Sequence, residues 1–248
     1  NLRLRPMHYY ILLSASMEQI IGAALSTLVG IMLPMIQLLT QPELSTFVQG
    51  LIGAAGLIGI GLGSAVIGAV IDRQGYLLWF RLCPLIIMAG AAMVYFRPSL
   101  LTLGIGFFIS GIGVGGGYSL DSAYISELMP AGRRSFMVGV AKGLCAVGFI
   151  GAAVICYFIL RSDPSPAIWP KLAIIIAAMG LITLLLRIYW VESPEWLMQQ
   201  GRTAEAQKAA ARMFGPGVTA NPLPAKEMTL PFSDLFKGEN LKRVIFSG

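Results

Sequence analysis

The chain has 248 residues, 56% of them hydrophobic and only 12% charged, with a net charge of +6 and a mean hydropathy of +0.75. Soluble domains carry about a quarter charged residues, so the composition excludes an ordinary soluble enzyme or binding module. Apolar blocks of about 20 residues or more alternate with short polar joints, and that block length is what a bilayer core demands. The composition and its patterning give an all-α polytopic membrane protein.

Taken in chain order, the blocks predict six spans at about 8–38, 46–71, 77–96, 100–127, 136–160 and 168–190. The joints carry turn formers: Thr40-Gln-Pro-Glu-Leu-Ser, Asp72-Arg-Gln-Gly, Arg97-Pro-Ser, Met129-Pro-Ala-Gly-Arg-Arg and Arg161-Ser-Asp-Pro-Ser-Pro. An even number of spans returns both ends to one side. Basic residues collect on cytoplasmic joints, and with both ends inside, only Arg97, Arg161 and Lys171 of the 18 Lys and Arg fall outside. Arg187 and the Arg133-Arg134 pair then count as cytoplasmic anchors. The expected location is an inner or plasma membrane.

Beyond the sixth span, Thr203-Ala-Glu-Ala-Gln-Lys-Ala-Ala-Ala-Arg-Met-Phe214 reads as a short cytoplasmic helix, with Thr203 as its cap and Gly215-Pro216 as its stop. The division expected is a six-helix transmembrane domain over 1–191, a cytoplasmic loop with that helix over 192–239, and the start of a seventh span over 240–248. The first residue is Asn1, with no cleavable signal ahead of the first block, which predicts a trimmed N-terminus.

The fourth block contains Gly111-Ile-Gly-Val-Gly-Gly, a literal GxGxxG. A dinucleotide loop needs a strand before the glycines and an acidic residue about 20 positions later, and neither is present. Small residues instead let membrane helices approach closely, and the signature recurs with Gly53, Gly56, Gly59 and Gly63 in the second block and Gly139 and Gly143 in the fifth. Spans two, four and five are therefore expected to be closely packed. Cys83, Cys145 and Cys156 lie inside apolar blocks without metal-ligand spacing, and His8 is the single histidine. No cofactor, metal, nucleic-acid partner or enzymatic residue set is expected.

Three ionisable residues stand out within the spans: Glu18, Asp121 and Lys142. Each costs roughly 2.5–3.5 kcal/mol near a helix centre unless paired or facing water. At 1.5 Å per residue they lie about 15, 9 and 10 Å from the inner end of their helices, close enough in depth to meet. Glu18, Gly22 and Ser26 share one helix face, as do Tyr118 and Asp121. These six residues form the candidate substrate and coupling site, in which Glu18 or Asp121 takes up a proton and Lys142 attracts an anionic group. A permanent Asp121–Lys142 ion pair that fixes helix packing is the alternative.

Three motifs carry a family resemblance. Tyr124-Ile-Ser-Glu-Leu-Met-Pro-Ala-Gly-Arg-Arg134 resembles the segment leaving the fourth helix of the major facilitator superfamily, in its sugar-porter branch. Gly68-Ala-Val-Ile-Asp72-Arg73-Gln-Gly75 is similar to that family's second-to-third loop, and Glu192-Ser-Pro-Glu-Trp-Leu197 to the motif closing its sixth helix. The chain departs from the pattern at Tyr76-Leu77, where a basic pair is usual, and at Phe107 and Glu195, where arginines are usual.

The resemblance implies the N-terminal six-helix half of a twelve-helix fold, with helices one and four lining a central cavity and Lys142 at a substrate-touching position. It implies that Gly68, Asp72, Arg73, Gly75, Glu127, Arg134 and Glu192 belong to a cytoplasmic gating network that latches two halves. The expected function is secondary or facilitative transport of a small polar organic solute by alternating access, proton-coupled in one version. Sugar or polyol follows from the sixth-helix motif and organic anion from Lys142. The partners are the solute, protons, lipid, and a C-terminal half or a second chain. A transporter-like receptor and a half-size transporter acting as an oligomer are the alternatives.

Overall fold

The computed structural model describes residues 6–39, 45–129 and 132–215. Six helical spans are long and apolar enough to cross a membrane, and the described residues contain no strand. They are α1 (Pro6–Leu39), α2 (Thr46–Gln74), α3 (Tyr76–Phe96), α4 (Leu100–Leu128), a fifth span divided into α5 (Arg134–Gly143) and α6 (Cys145–Ser162), and a sixth formed by a 3-10 turn (Pro166–Leu172) running into α7 (Ala173–Leu186). Two short helices follow, α8 (Pro194–Gln199) and α9 (Thr203–Phe214). The expected seventh span at 240–248 and most of the loop before it lie outside the described residues.

The ends of these helices follow local chemistry. The Ser99 hydroxyl accepts from the Thr102 amide at 3.2 Å while the Thr102 hydroxyl accepts from the Ser99 amide at 3.0 Å, a reciprocal cap that starts α4. α9 occupies the predicted residues, but Thr203 is its first helical residue and does not cap it. Arg202 bridges the first turn instead, donating to both Glu205 oxygens at 2.8 and 2.6 Å. That guanidinium holds the Glu205 carboxyl below its ordinary range. The sixth span stops earlier than expected, at Leu186, because residues 187–193 leave the helix before Pro194 opens α8.

α4 is the hub, packing along α2 and α3 and across α1, while α1 also holds α6 and α3 holds α7. Of the most apolar stretch, 61% is buried in both α1 and α4 but only 17% in the Arg134–Ser162 span. Leu57, Val66, Phe149, Ile150 and Phe158 point outward, as apolar side chains do on a bundle bathed in lipid.

The glycine run of α4 serves this packing. A Cβ on Gly115 would collide with the Ile60 carbonyl, and one on Gly59 or Gly63 with the carbonyls of Phe108 or Ile112. Backbones of α2 and α4 therefore touch directly, which any side chain at these positions would prevent. The expectation for the fifth span needs correcting, since a Cβ on Gly139 or Gly143 would meet no described atom within 4 Å. Gly148 makes that span's close approach, against the Ile20 backbone of α1. Gly53 likewise faces open space.

At the α2–α3 turn, Gly75 has φ 83° and ψ 175°, a region that is essentially glycine-only. A Cβ there would also meet Glu192 Oε2 at 2.8 Å and the Trp196 ring at 3.2 Å. Gly75→Ala is therefore expected to destabilise by about 1–3 kcal/mol. Gly63→Val is expected to do so by a similar overpacking penalty of about 1–3 kcal/mol, whereas Gly139→Val stays within about 0.5 kcal/mol. Melting of the full-length variants in detergent checks all three, and a Gly63→Val protein as stable as Gly139→Val contradicts the α2–α4 contact.

Candidate functional site

Arg187 sits where α7 ends and its side chain is completely buried. Nη1 donates to Glu18 Oε1 on α1 at 2.9 Å. Nη2 donates to Asp121 on α4, to Oδ1 at 2.7 Å and Oδ2 at 2.9 Å. Gly117 makes room for the Glu18 side chain, since a Cβ there would overlap it. One guanidinium thus joins three spans.

The rest of the Arg187 environment is aromatic. Its Cζ lies 5.0 Å from the Phe80 ring centre and 5.2 Å from that of Trp190, within cation–π range. Trp190 stacks on Tyr124 at 4.8 Å and meets Phe80 edge-on at 4.2 Å. The charge count is unequal, with two carboxylates facing one guanidinium. Asp121 takes two bonds from Arg187, whereas Glu18 takes one, and its Oε2 is buried without a hydrogen-bond partner among the described residues. A buried pair is tolerated only when its groups are well bonded, so Glu18 is the less compensated acid.

This placement revises two sequence-based expectations. Arg187, counted as a cytoplasmic anchor, is buried between helices. Lys142 is exposed on α5 and, among the described residues, makes no ion pair, so the Asp121–Lys142 pair does not form. Arg187 fills the position that such a pair requires, while Lys142 acts on Asp121 only through its field. The missed signal was an arginine inside the predicted sixth span together with two acids and one lysine in the others. Sequence distance gives no cue that residues 18, 121 and 187 meet.

The remaining members of the candidate site are partly gathered. Gly22 lies against the Tyr118 hydroxyl, so that a Cβ would overlap it, which brings these two residues together near Glu18. The Ser26 hydroxyl donates to the Gly22 carbonyl at 3.1 Å within its own helix. Among the described residues no group of three or more His, Cys, Asp or Glu is arranged to hold a metal ion.

A second constellation joins the α2–α3 turn, the end of α4 and the segment after α7. Glu192 Oε1 accepts from the Tyr76 amide at 2.9 Å and Oε2 from the Leu77 amide at 3.1 Å, a carboxylate placed on the positive N-terminal end of α3. Glu127 accepts hydrogen bonds from the Tyr76 and Ser193 hydroxyls. The Ser193 hydroxyl in turn accepts from the Trp196 amide at 3.2 Å, capping α8. Gly68 rests on Ser119, where a Cβ would meet the hydroxyl oxygen at 3.4 Å. Arg73 and Arg134 are exposed, without an ion pair among the described residues, and the Asp72 side chain lies outside the description. Within this half, the two motif acids are bound by hydroxyls and amides.

The family profile described as "Sugar (and other) transporter" matches residues 14–232. The chain is 34% identical over 185 residues to the inner membrane metabolite transport protein YgcS of Escherichia coli, covering 74% of this chain and 41% of that protein. It is 30% identical over 172 residues to plastidic glucose transporter 4 of Arabidopsis thaliana, covering 69% and 31%. A partially occluded inward-open structure of the E. coli xylose transporter XylE superposes with a TM-score of 0.76 at 21% identity, covering 84% of this chain and 55% of that one. The chain thus spans about half, or less, of the length of the proteins it matches. These relatives are transporters and not enzymes. Six apolar spans, the packing around α4 and the match over most of its length place the chain in the sugar (and other) transporter family of the major facilitator superfamily, as an integral multi-pass membrane protein corresponding to the N-terminal six-helix half.

Proposed function

We propose that the full-length protein is a secondary transporter that carries a small polar organic solute by alternating access, with protons as the coupling ion. The observation that carries this reading is the Glu18–Arg187–Asp121 cluster: two carboxylates share one guanidinium between three spans, and one carboxylate oxygen has no hydrogen-bond partner among the described residues. Uptake of one proton by Glu18 or Asp121 brings the cluster from a formal charge of −1 to zero, which favours its movement through a low-dielectric environment. A protein superposing on this chain is described as a proton:xylose symporter, in keeping with that reading.

Solute would contact the face carrying Gly22, Ser26 and Tyr118, together with Lys142, and a second six-helix body from the same chain or another would close the cavity. The motif acids Glu127 and Glu192, with Asp72, Arg73 and Arg134, would form the cytoplasmic gate, with both ends of this segment inside. The Glu127 and Glu192 bonds are specific, so breaking them to open that side requires a bias that solute and proton binding supply together.

Purified full-length protein in proteoliposomes, given radiolabelled sugars, polyols and organic acids with and without an inward proton gradient, tests this reading. The gradient is expected to raise uptake of one class by about tenfold, and Glu18→Gln or Asp121→Asn to remove the acceleration. Uptake with the same pH dependence in both variants rejects proton coupling at this cluster. Lys142→Ala distinguishes the solute class: it is expected to weaken an organic anion by about tenfold, a lost charge contact, and to leave a neutral sugar unchanged.

A further inference from the structure

We infer that residues 187–193 form a strap through which the ionisation of Glu18 controls the cytoplasmic clamp at Glu127 and Glu192, with Arg187 as its positioning residue. This inference rests on the coupling role proposed for the cluster. The two constellations are attached to one short run of chain. Arg187 holds the charge cluster, the Val191 carbonyl accepts from the Tyr124 hydroxyl at 2.6 Å, Glu192 caps α3, and Ser193 donates to Glu127.

Between backbone groups the strap's bonds are short-range, with the Trp190 amide donating to the Arg187 carbonyl at 3.2 Å. Its longer-range ties are made by side chains, with Arg212 Nη2 donating to the Tyr189 carbonyl at 3.4 Å and Val191 packed against the α8–α9 cluster. Ile188 and Tyr189 are exposed. Trp190 is buried and stacked on Tyr124, while its indole N–H has no hydrogen-bond partner among the described residues. Tyr124 thereby touches the strap twice, through its ring and through its hydroxyl. A change in the grip on Arg187 is transmitted to Glu192 and Ser193 over a span of a few residues that includes no stable helix.

The cluster supplies such a change. Asp121 binds Arg187 through both oxygens, so that pair remains when Glu18 alters, whereas the Glu18 contact is single. Protonating Glu18 removes its formal charge and with it the Coulombic attraction to the guanidinium, so one of the two grips on Arg187 weakens. The groups that face Glu18 are Arg187 at the end of α7, Asp121 and Tyr118 on α4, and Cys83 on α3, with Lys142 of α5 acting on Asp121. Of these groups, Arg187 is the one that bonds it directly.

Hydrogen–deuterium exchange of full-length protein in nanodiscs, without solute, reads the strap through peptides covering 187–200. Corrected for intrinsic rates, exchange is expected to be at least about threefold faster near pH 5.5 than near pH 8 in the wild type. Glu18→Gln is expected to exchange at the faster rate at both values. Arg187→Lys keeps part of the pH response and Arg187→Gln loses it; if Arg187→Gln does not fold, Glu18→Gln decides alone. Wild-type exchange independent of pH, or a pH response that survives in Glu18→Gln, overturns the strap. Proton-driven uptake that depends on Glu18 while exchange stays unresponsive sinks the strap and leaves the coupling role standing; pH-independent uptake with a responsive strap does the reverse.

Discussion

A guanidinium shared between two carboxylates organises this six-span bundle. Arg187 cannot lie in the interior of a lipid-facing bundle without compensation, and neither can Glu18 or Asp121. Each group makes the other two tolerable, and the three come from the first, fourth and sixth spans. The relative rotation and depth of α1, α4 and α7 are consequently set by three hydrogen bonds of 2.7–2.9 Å, where apolar packing alone would allow sliding. The rings of Phe80 and Trp190 lie against the buried cation, and Tyr124 packs on both of them.

Around this cluster, packing divides into two layers. Toward the C-terminal end of α1 the core is mainly aliphatic, with Leu25, Leu28, Met32 and Ile87 together with the rings of Phe107 and Trp169. Phe107 is wholly buried in that layer. Toward the N-terminal end of α1 the core is aromatic and partly hydrogen-bonded, with Tyr76, Phe80, Tyr124 and Trp190. The aliphatic layer needs only volume, whereas the second positions polar groups at each end of the aromatic stack. Glycine-mediated contact between α2 and α4 supports both layers by bringing backbones together.

The two polar constellations differ in chemistry. The inner cluster contains formal charges and depends on mutual compensation. The clamp uses a helix N-terminus and two hydroxyls to bind Glu192 and Glu127, so it holds without any arginine. That difference fits a division in which the first responds to a proton and the second to the geometry of its neighbours. Residues 187–193 join them because the sixth span unwinds just where Arg187 is gripped.

Length and hydropathy alone determined the membrane class and the six spans, since bilayer thickness and helical rise fix how many apolar residues a span needs, while helix-forming residues and the Gly215-Pro216 stop located α9. The family resemblance pointed to Gly75, Glu127 and Glu192, while the bonds that the two acids make, to residues far away in the chain, came only with the tertiary structure. The glycine run was legible as helix packing in α4 and α2, yet Gly139 and Gly143 carry the same spacing and pack on nothing among the described residues. Spacing says which residues share a face and is silent on what that face meets. The charge partner was likewise beyond the sequence: Lys142 and Arg187 are both basic residues near a span end, and only the packing of α7 on α1 and α3 buries Arg187 against Glu18 and Asp121 while Lys142 stays exposed on α5. Helix-forming and membrane-spanning tendencies are local properties of the chain, whereas an ion pair between residues 18 and 187 exists only once tertiary packing has brought them together.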